Sequence, residues 1–253
     1  MKILKKRYKR LIKGIAILMV ILIAILFFYD NYSIANNKTV KDDLKKLNQI
    51  ISSYNPDEID HLLAEAQMKN CLPENKMDPR RIFARSAIIG DSMAEAIVDY
   101  RILDPSNVFA VRGKRLDSAD ELINKVYNFK PDKLFIEFGM NDITWHRGKV
   151  EPFIKNYTQV IHNFKRKLPN TDLCVVSIHK LDEKGIQENK YMENYLKYNE
   201  EMKHMCKREN IKYMNMPLLM GKNLEYEFDG LHPKEPYYSN WVNLMCSLIL
   251  NKN

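Results

Sequence analysis

Residues 87–101 read AIIGDSMAEAIVDYR: a short apolar run, a Gly-Asp-Ser turn, and at once a helical pattern. The run Ala87–Ile89 predicts a strand, and the segment near 93–101 predicts a helix packed back on it. The same alternation repeats along the chain. Further strands are expected at Val108–Val111, Leu134–Phe138, Leu173–Ile178 and Ile211–Met214, with helical segments near 118–128, 150–167, 190–209 and 237–250. Alternating β and α units of this length imply a doubly wound α/β fold, a five-stranded parallel sheet with helices on both faces. Ser118-Ala119-Asp120-Glu121 has the form of a capping box, in which Ser118 and Glu121 would satisfy the first free amides of the second helix. In such sheets ligands bind outside the carboxyl ends of the strands, so the residues just after each strand are the ones to inspect.

The first strand runs into Gly90-Asp91-Ser92. A serine at a strand-to-helix turn places its hydroxyl at the carboxyl edge and its amide at a helix N-terminus, where developing negative charge is favoured. That suits a nucleophile whose attack creates an oxyanion, although Gly-Asp-Ser by itself is also a good turn and cap. The second strand ends at Arg112-Gly113, where glycine lets backbone approach a substrate closely. The third ends in Gly139-Met140-Asn141-Asp142, and the Asn141 amide can donate to an oxyanion or simply make a turn. After the fifth strand comes Phe228-Asp229-Gly230-Leu231-His232-Pro233. Here His232 can serve as general base toward Ser92, with Asp229 orienting its imidazole.

Each signal alone has a plain structural explanation; their joint placement on one sheet edge does not. In this order, Gly90-Asp91-Ser92, Gly113, Gly139-x-Asn141-Asp142 and Asp229-x-x-His232 resemble the blocks of the SGNH/GDSL hydrolase family, over residues 86–250. Tyr237, Tyr238 and Trp241 after the last block fit as well. Met93 replaces the usual Leu after the serine, and the glycine block keeps little beyond Arg112-Gly113. The resemblance implies an esterase-like fold with a flavodoxin-type sheet, no metal and no other cofactor. It also implies Ser92 as nucleophile, His232 as base, Asp229 as orienter, and the Ser92 and Gly113 amides with the Asn141 side chain as oxyanion donors. His179, at the end of the fourth strand, and Trp145, close after Asn141, are candidate substrate contacts, Trp145 against a sugar ring. Asp91 reads as a structural tie of the turn, and Lys114 and Arg115 as solvated surface cations.

Beyond this region the charge is uneven. The chain of 253 residues has 40 Lys+Arg against 32 Asp+Glu, net +8. Seven of those cations and no acid fall in residues 1–13, so the remainder carries 33 against 32, net +1. That excludes nucleic acid as the partner, since a nucleic-acid footprint needs a basic face on the folded part. Directly after the basic block comes IAILMVILIAILFFY, residues 15–29. With flanking residues it approaches the ~30 Å hydrocarbon core, and the positive-inside rule keeps residues 1–13 in the cytoplasm. The expected organisation is a basic tail over 1–13, a transmembrane signal-anchor helix over 14–29, a helical stalk over 30–83 and an extracytoplasmic catalytic domain over 84–253. Turn signals punctuate the stalk at Asn55-Pro56, Leu72-Pro73 and Asp78-Pro79. A signal peptide cleaved near Ser33-Ile34-Ala35 is the competing reading. Cys71, Cys174, Cys206 and Cys246 are too few and too far apart for a disulfide scaffold or a CxxC metal site; Cys174, in an apolar run, reads as a buried free thiol.

The function expected from this set is a membrane-tethered serine esterase acting on O-acetyl or other short acyl esters of carbohydrate or envelope polymers. An O-acyltransferase with the same triad and a non-catalytic envelope-binding module are the alternatives. Oligomeric state and natural ester are left open.

Overall fold

The computed structural model describes residues 77–219 and 224–250. Its five strands are β1 Ser86–Gly90, β2 Val108–Ala110, β3 Lys133–Glu137, β4 Asp172–Val176 and β5 Lys212–Met214. They form one sheet in the order β2-β1-β3-β4-β5, with every neighbouring pair parallel. All five predicted strands are present, with ends displaced by one or two residues. The helices are α1 Pro79–Phe83, α2 Ser92–Asp99, α3 Asp120–Phe129, α4 Met140–Trp145, α5 Val150–Lys167, α6 Glu183–Glu188, α7 Tyr195–Glu209, α8 Met216–Leu219 and α9 Glu235–Leu250.

The middles of the strands are apolar because helices cover both faces. Ala87, Ile89, Leu134, Ile136, Leu173 and Val175 point into one core, filled by Ile123 and Val126 of α3, Phe153, Tyr157 and Phe164 of α5, and Tyr198 and Met202 of α7. Ile88, Phe135, Cys174, Val176 and Met214 point into the other, against Ile97 of α2 and Tyr238, Trp241 and Met245 of α9. Alternation of side chains along a strand divides the two sets. Register matters for the site. Gly90 pairs with Ala110 and Glu137, and Glu137 with Val176. The last residues of β1, β2, β3 and β4 thus form one row, and the segments that follow them share one edge.

Some local expectations are corrected. The capping box at Ser118–Glu121 does not form. The chain enters α3 through the 3-10 turn Leu116–Ser118, where Ser118 Oγ donates to Arg115 O at 3.1 Å, and Ala119 precedes the helix without a side-chain cap. Glu121 pairs instead with Lys125 at 2.8 Å. Ser118 comes one residue too early, and its hydroxyl has a nearer acceptor. The segment near 190–209 begins as the 3-10 stretch Lys190–Asn194, whose first turn is held by Asn189 Oδ1 accepting from Tyr191 N at 3.1 Å. Asp78-Pro79 starts a helix instead of marking only a turn: Asp78 accepts from Arg80 N, and Pro79 takes the first helical position. Phe83 of α1 is fully buried in the second core, so packing begins ahead of residue 84.

Cys174, Cys206 and Cys246 are buried free thiols, and burial pushes each up to about 12. Cys71, the stalk up to residue 76, and the anchor predicted at 14–29 lie outside the described residues. Among the described residues no helix is long and apolar enough to cross a membrane.

Candidate active site

Gly90 ends β1 where no side chain fits. A Cβ there would stand 2.7 Å from both the backbone oxygen and Oε2 of Glu137, and 2.9 Å from Ala94 Cβ. Asp91 then caps α2, its Oδ1 accepting from Met93 N at 3.1 Å. Ser92 is therefore the first helical residue, half-buried. Its backbone N–H belongs to the orphan donors of a helix start. Ser92 Oγ lies 2.8 Å from His232 Nε2.

His232 reaches Ser92 from a short loop ahead of α9, closed by the antiparallel bridge of Tyr226 with Pro233 and by Glu227 N donating to His232 O at 2.7 Å. Asp229 organises the loop. Its Oδ1 accepts from Leu231 N at 2.8 Å and His232 N at 2.9 Å, while Oδ2 accepts from His232 Nδ1 at 2.6 Å. Burial alone would push the Asp229 carboxyl up, but the His232 amide and ring and the Leu231 amide together hold it below its ordinary value. An ionised Asp229 makes Nδ1 the donor. Nε2 is then left as the acceptor for the Ser92 hydroxyl proton.

The three predicted oxyanion donors surround this turn. Gly113 has φ +71, where glycine is the unstrained choice, and a Cβ there would meet nothing within 4 Å. Among the described residues neither Ser92 N nor Gly113 N donates to a protein acceptor. Asn141, in the first turn of α4, is placed differently from a free donor. Its Nδ2 donates to Asp91 Oδ2 at 2.8 Å and to Lys114 O at 3.3 Å, which occupies both hydrogens. The longer contact is the weaker one, and it is the one an oxyanion could exchange.

Behind the turn lie three buried carboxyls whose burial the sequence did not reveal: Asp91, Glu137 and Asp142. Burial and the adjacent Asp91 charge push the Glu137 carboxyl well above its ordinary value. Asp91, raised by burial to about 6, is kept from rising further by Met93 N, Glu137 and Asn141. Its reading as a tie of the turn fits, extended by its hold on Asn141. Asp142 accepts from Leu116 N at 3.2 Å and is pushed by burial up to about 7. The available signal for Glu137 was a glutamate directly after the apolar Leu134–Ile136.

Asp142 carries a stability consequence. An unfolded aspartate titrates near 3.9, so between about pH 4 and 7 the folded state binds more protons, and stability falls as pH rises through that window. Asp142→Asn keeps an acceptor for Leu116 N and removes the charge. It is expected to stabilise at pH 8 by at most about 4 kcal/mol, with the gain fading toward pH 4. Urea midpoints at pH 4.5 and pH 8 check this, and an equal shift at both would contradict it.

His179 and Trp145 separate. His179 is 2% exposed, its Nε2 stands 2.6 Å from Leu231 O, and burial lowers its pKa to about 4, leaving a neutral ring that donates to that carbonyl. The expectation of a substrate contact at His179 is therefore corrected: the ring props the loop carrying His232 and has no open face. Trp145 is 58% exposed at the end of α4, four residues from Asn141 and so on the same helix face. The Arg115 guanidinium lies 3.9 Å from its ring centroid. Arg115 also pairs with Asp117 at 2.9 Å, so it is not a free surface cation. Among the described residues no group of three His, Cys, Asp or Glu is placed to hold a metal ion.

Comparison with known proteins agrees with this architecture. The model of the GDSL-like Lipase/Acylhydrolase family matches residues 86–238. Among solved structures, the chain is similar to a GDSL-like lipase from Bacteroides thetaiotaomicron, at 16% identity and TM-score 0.53, over 74% of this chain and 97% of that one. A lipase/acylhydrolase from Enterococcus faecalis aligns at 18% identity and TM-score 0.51, over 65% and 95%. A catalytic mutant of an acetylxylan esterase from Geobacillus stearothermophilus aligns at 12% identity and TM-score 0.50, over 66% and 94%. At such identities these likenesses speak for the fold. No curated protein matches the chain. With the family model spanning more than half of the sequence and all four motif blocks on one sheet edge, the chain belongs to the GDSL-like lipase/acylhydrolase family and is a serine hydrolase.

Proposed function

We propose that the protein is a membrane-tethered, extracytoplasmic esterase that removes O-acetyl or other short acyl groups from envelope carbohydrates through a Ser92–His232–Asp229 triad. The observation that carries the chemistry is the unbroken hydrogen-bond chain from Asp229 through His232 to Ser92 Oγ. As Ser92 Oγ attacks the ester carbonyl carbon, its proton passes to His232 Nε2, and Asp229 stabilises the imidazolium. The carbonyl oxygen becomes an oxyanion, facing the Ser92 and Gly113 amides and the Asn141 Nδ2 released from Lys114 O. Collapse breaks the bond to the alcohol, which leaves with the proton from His232, and acyl-Ser92 remains. Water then attacks with His232 again as base, releasing the acid and restoring Ser92.

Support for a carbohydrate ester comes from Trp145, an exposed ring backed on one face by Arg115, and from the acetylxylan esterase activity named for one fold neighbour. The tether rests on residues 1–29, seven cations followed by an apolar run.

The test is acetate release by the full-length protein in detergent, from p-nitrophenyl acetate and from acetylated xylo-oligosaccharides. Both substrates are expected to be cleaved. Trp145→Ala is expected to raise KM for the oligosaccharide by roughly tenfold, a stacking contact of ordinary strength, and to leave p-nitrophenyl acetate unchanged. Absence of acetate from both substrates overturns the esterase reading. An acylated sugar acceptor among the products would assign the same residues to a transferase.

A further inference from the structure

We infer that Glu95 is a positioning residue for the Gly113 amide, acting through Arg112. The inference rests on Gly113 serving as an oxyanion donor, as proposed above. Ser92, Glu95 and Asp99 stand at i, i+3 and i+7 of α2, along one helix face. Across from that face, Glu95 Oε2 accepts from both Arg112 N and Arg112 Nε, each at 3.0 Å. The Arg112 guanidinium also bonds Asp99. Thus the backbone and the side chain of the residue next to Gly113 are tied to the helix that begins with the nucleophile.

The need for such a tie is visible at Gly113. The residue is exposed and has no packing neighbour where a Cβ would sit, so side-chain packing does not locate its amide. Its turn is closed by Lys114 N donating to Val111 O at 3.1 Å. That bond defines the turn's shape but not its place relative to Ser92. Contacts to neighbouring elements do: Glu95 on Arg112, ahead of the glycine, and Asn141 on Lys114 O and Asp142 on Leu116 N, behind it. The Asn141 contact is the one that an oxyanion would exchange. With that contact exchanged, the Glu95 bond on the Arg112 amide remains as the tie directly ahead of Gly113. An exposed ion pair contributes little to stability, but a misplacement of about 1 Å in a catalytic group can cost on the order of 100-fold in rate.

The experiment compares Glu95→Ala, Glu95→Gln and Arg112→Ala with the full-length wild type on p-nitrophenyl acetate. Each variant is measured for kcat, KM, thermal midpoint and inhibition by a trifluoromethyl ketone, whose serine adduct carries the oxyanion. Glu95→Ala is expected to lower kcat by roughly 10- to 100-fold, below the loss for deleting a whole oxyanion donor. KM and the thermal midpoint should stay near wild type, and ketone affinity should fall in parallel with kcat. Glu95→Gln keeps an acceptor for Arg112 N and should lose less. Arg112→Ala keeps its backbone amide on Glu95 Oε2 and should lose less than Glu95→Ala, and the double variant should cost less than the two single losses combined, because both remove the Arg112 Nε contact. Full kcat in Glu95→Ala, or a fall in kcat with unchanged ketone affinity, overturns the inference. An inactive wild type instead overturns the esterase reading on which it rests.

Discussion

Ser92→Ala is expected to lower kcat for acetate release by roughly 10⁴- to 10⁶-fold, leaving only what oxyanion contacts and binding supply. His232 Nε2 makes its hydrogen bond to Ser92 Oγ, so the substitution leaves the base without its hydroxyl. The fold should be indifferent to the change. The cap of α2 is the Asp91 carboxylate on Met93 N, so alanine at 92 removes no cap and suits a helix position. The thermal midpoint is expected to remain within a few degrees of wild type, and covalent labelling by a fluorophosphonate should disappear. Substantial activity in a folded Ser92→Ala variant would remove Ser92 from the mechanism.

Asp229→Asn is expected to lower kcat/KM by roughly 10⁴-fold, the size of effect that follows when the orienting carboxylate of such a triad becomes an amide. Asn can still accept from Leu231 N and His232 N through its oxygen, so the loop should stay closed. What changes is the atom opposite His232 Nδ1. An amide nitrogen there donates, which drives the imidazole proton to Nε2, and a protonated Nε2 cannot accept from Ser92. Near-ultraviolet circular dichroism should be unchanged while p-nitrophenyl acetate turnover collapses. A loss smaller than tenfold would mean that Asp229 only shapes the loop.

Much of this machinery was legible in one dimension. The five strands stand out as short apolar runs because both sheet faces are buried, and the residues after them share an edge because parallel strands present all their carboxyl ends together. Ser92, Gly113, Asn141, Asp229 and His232 were candidates from that rule, their residue types and the order of the four blocks. Helix starts were less legible. Ser118 and Glu121 have the right spacing for a capping box, yet a preceding 3-10 turn redirects the serine to Arg115 O. Position at the edge was also legible for His179, but direction was not. Whether its ring opens to solvent or turns under the next loop depends on Leu231, 52 residues later.

From the sequence alone, then, came the sheet and the candidate reacting groups, since each depends on local pattern and residue chemistry. Tertiary structure decided how those groups are held and charged: Asp91 gripping Asn141, the Glu137 carboxyl pushed up by burial beneath it, and Glu95 tying the Gly113 loop to α2. The physical reason is that a carboxyl's role follows from its burial and its partner. Chain folding brings those partners from 17 to 50 residues away, and no local pattern encodes that encounter.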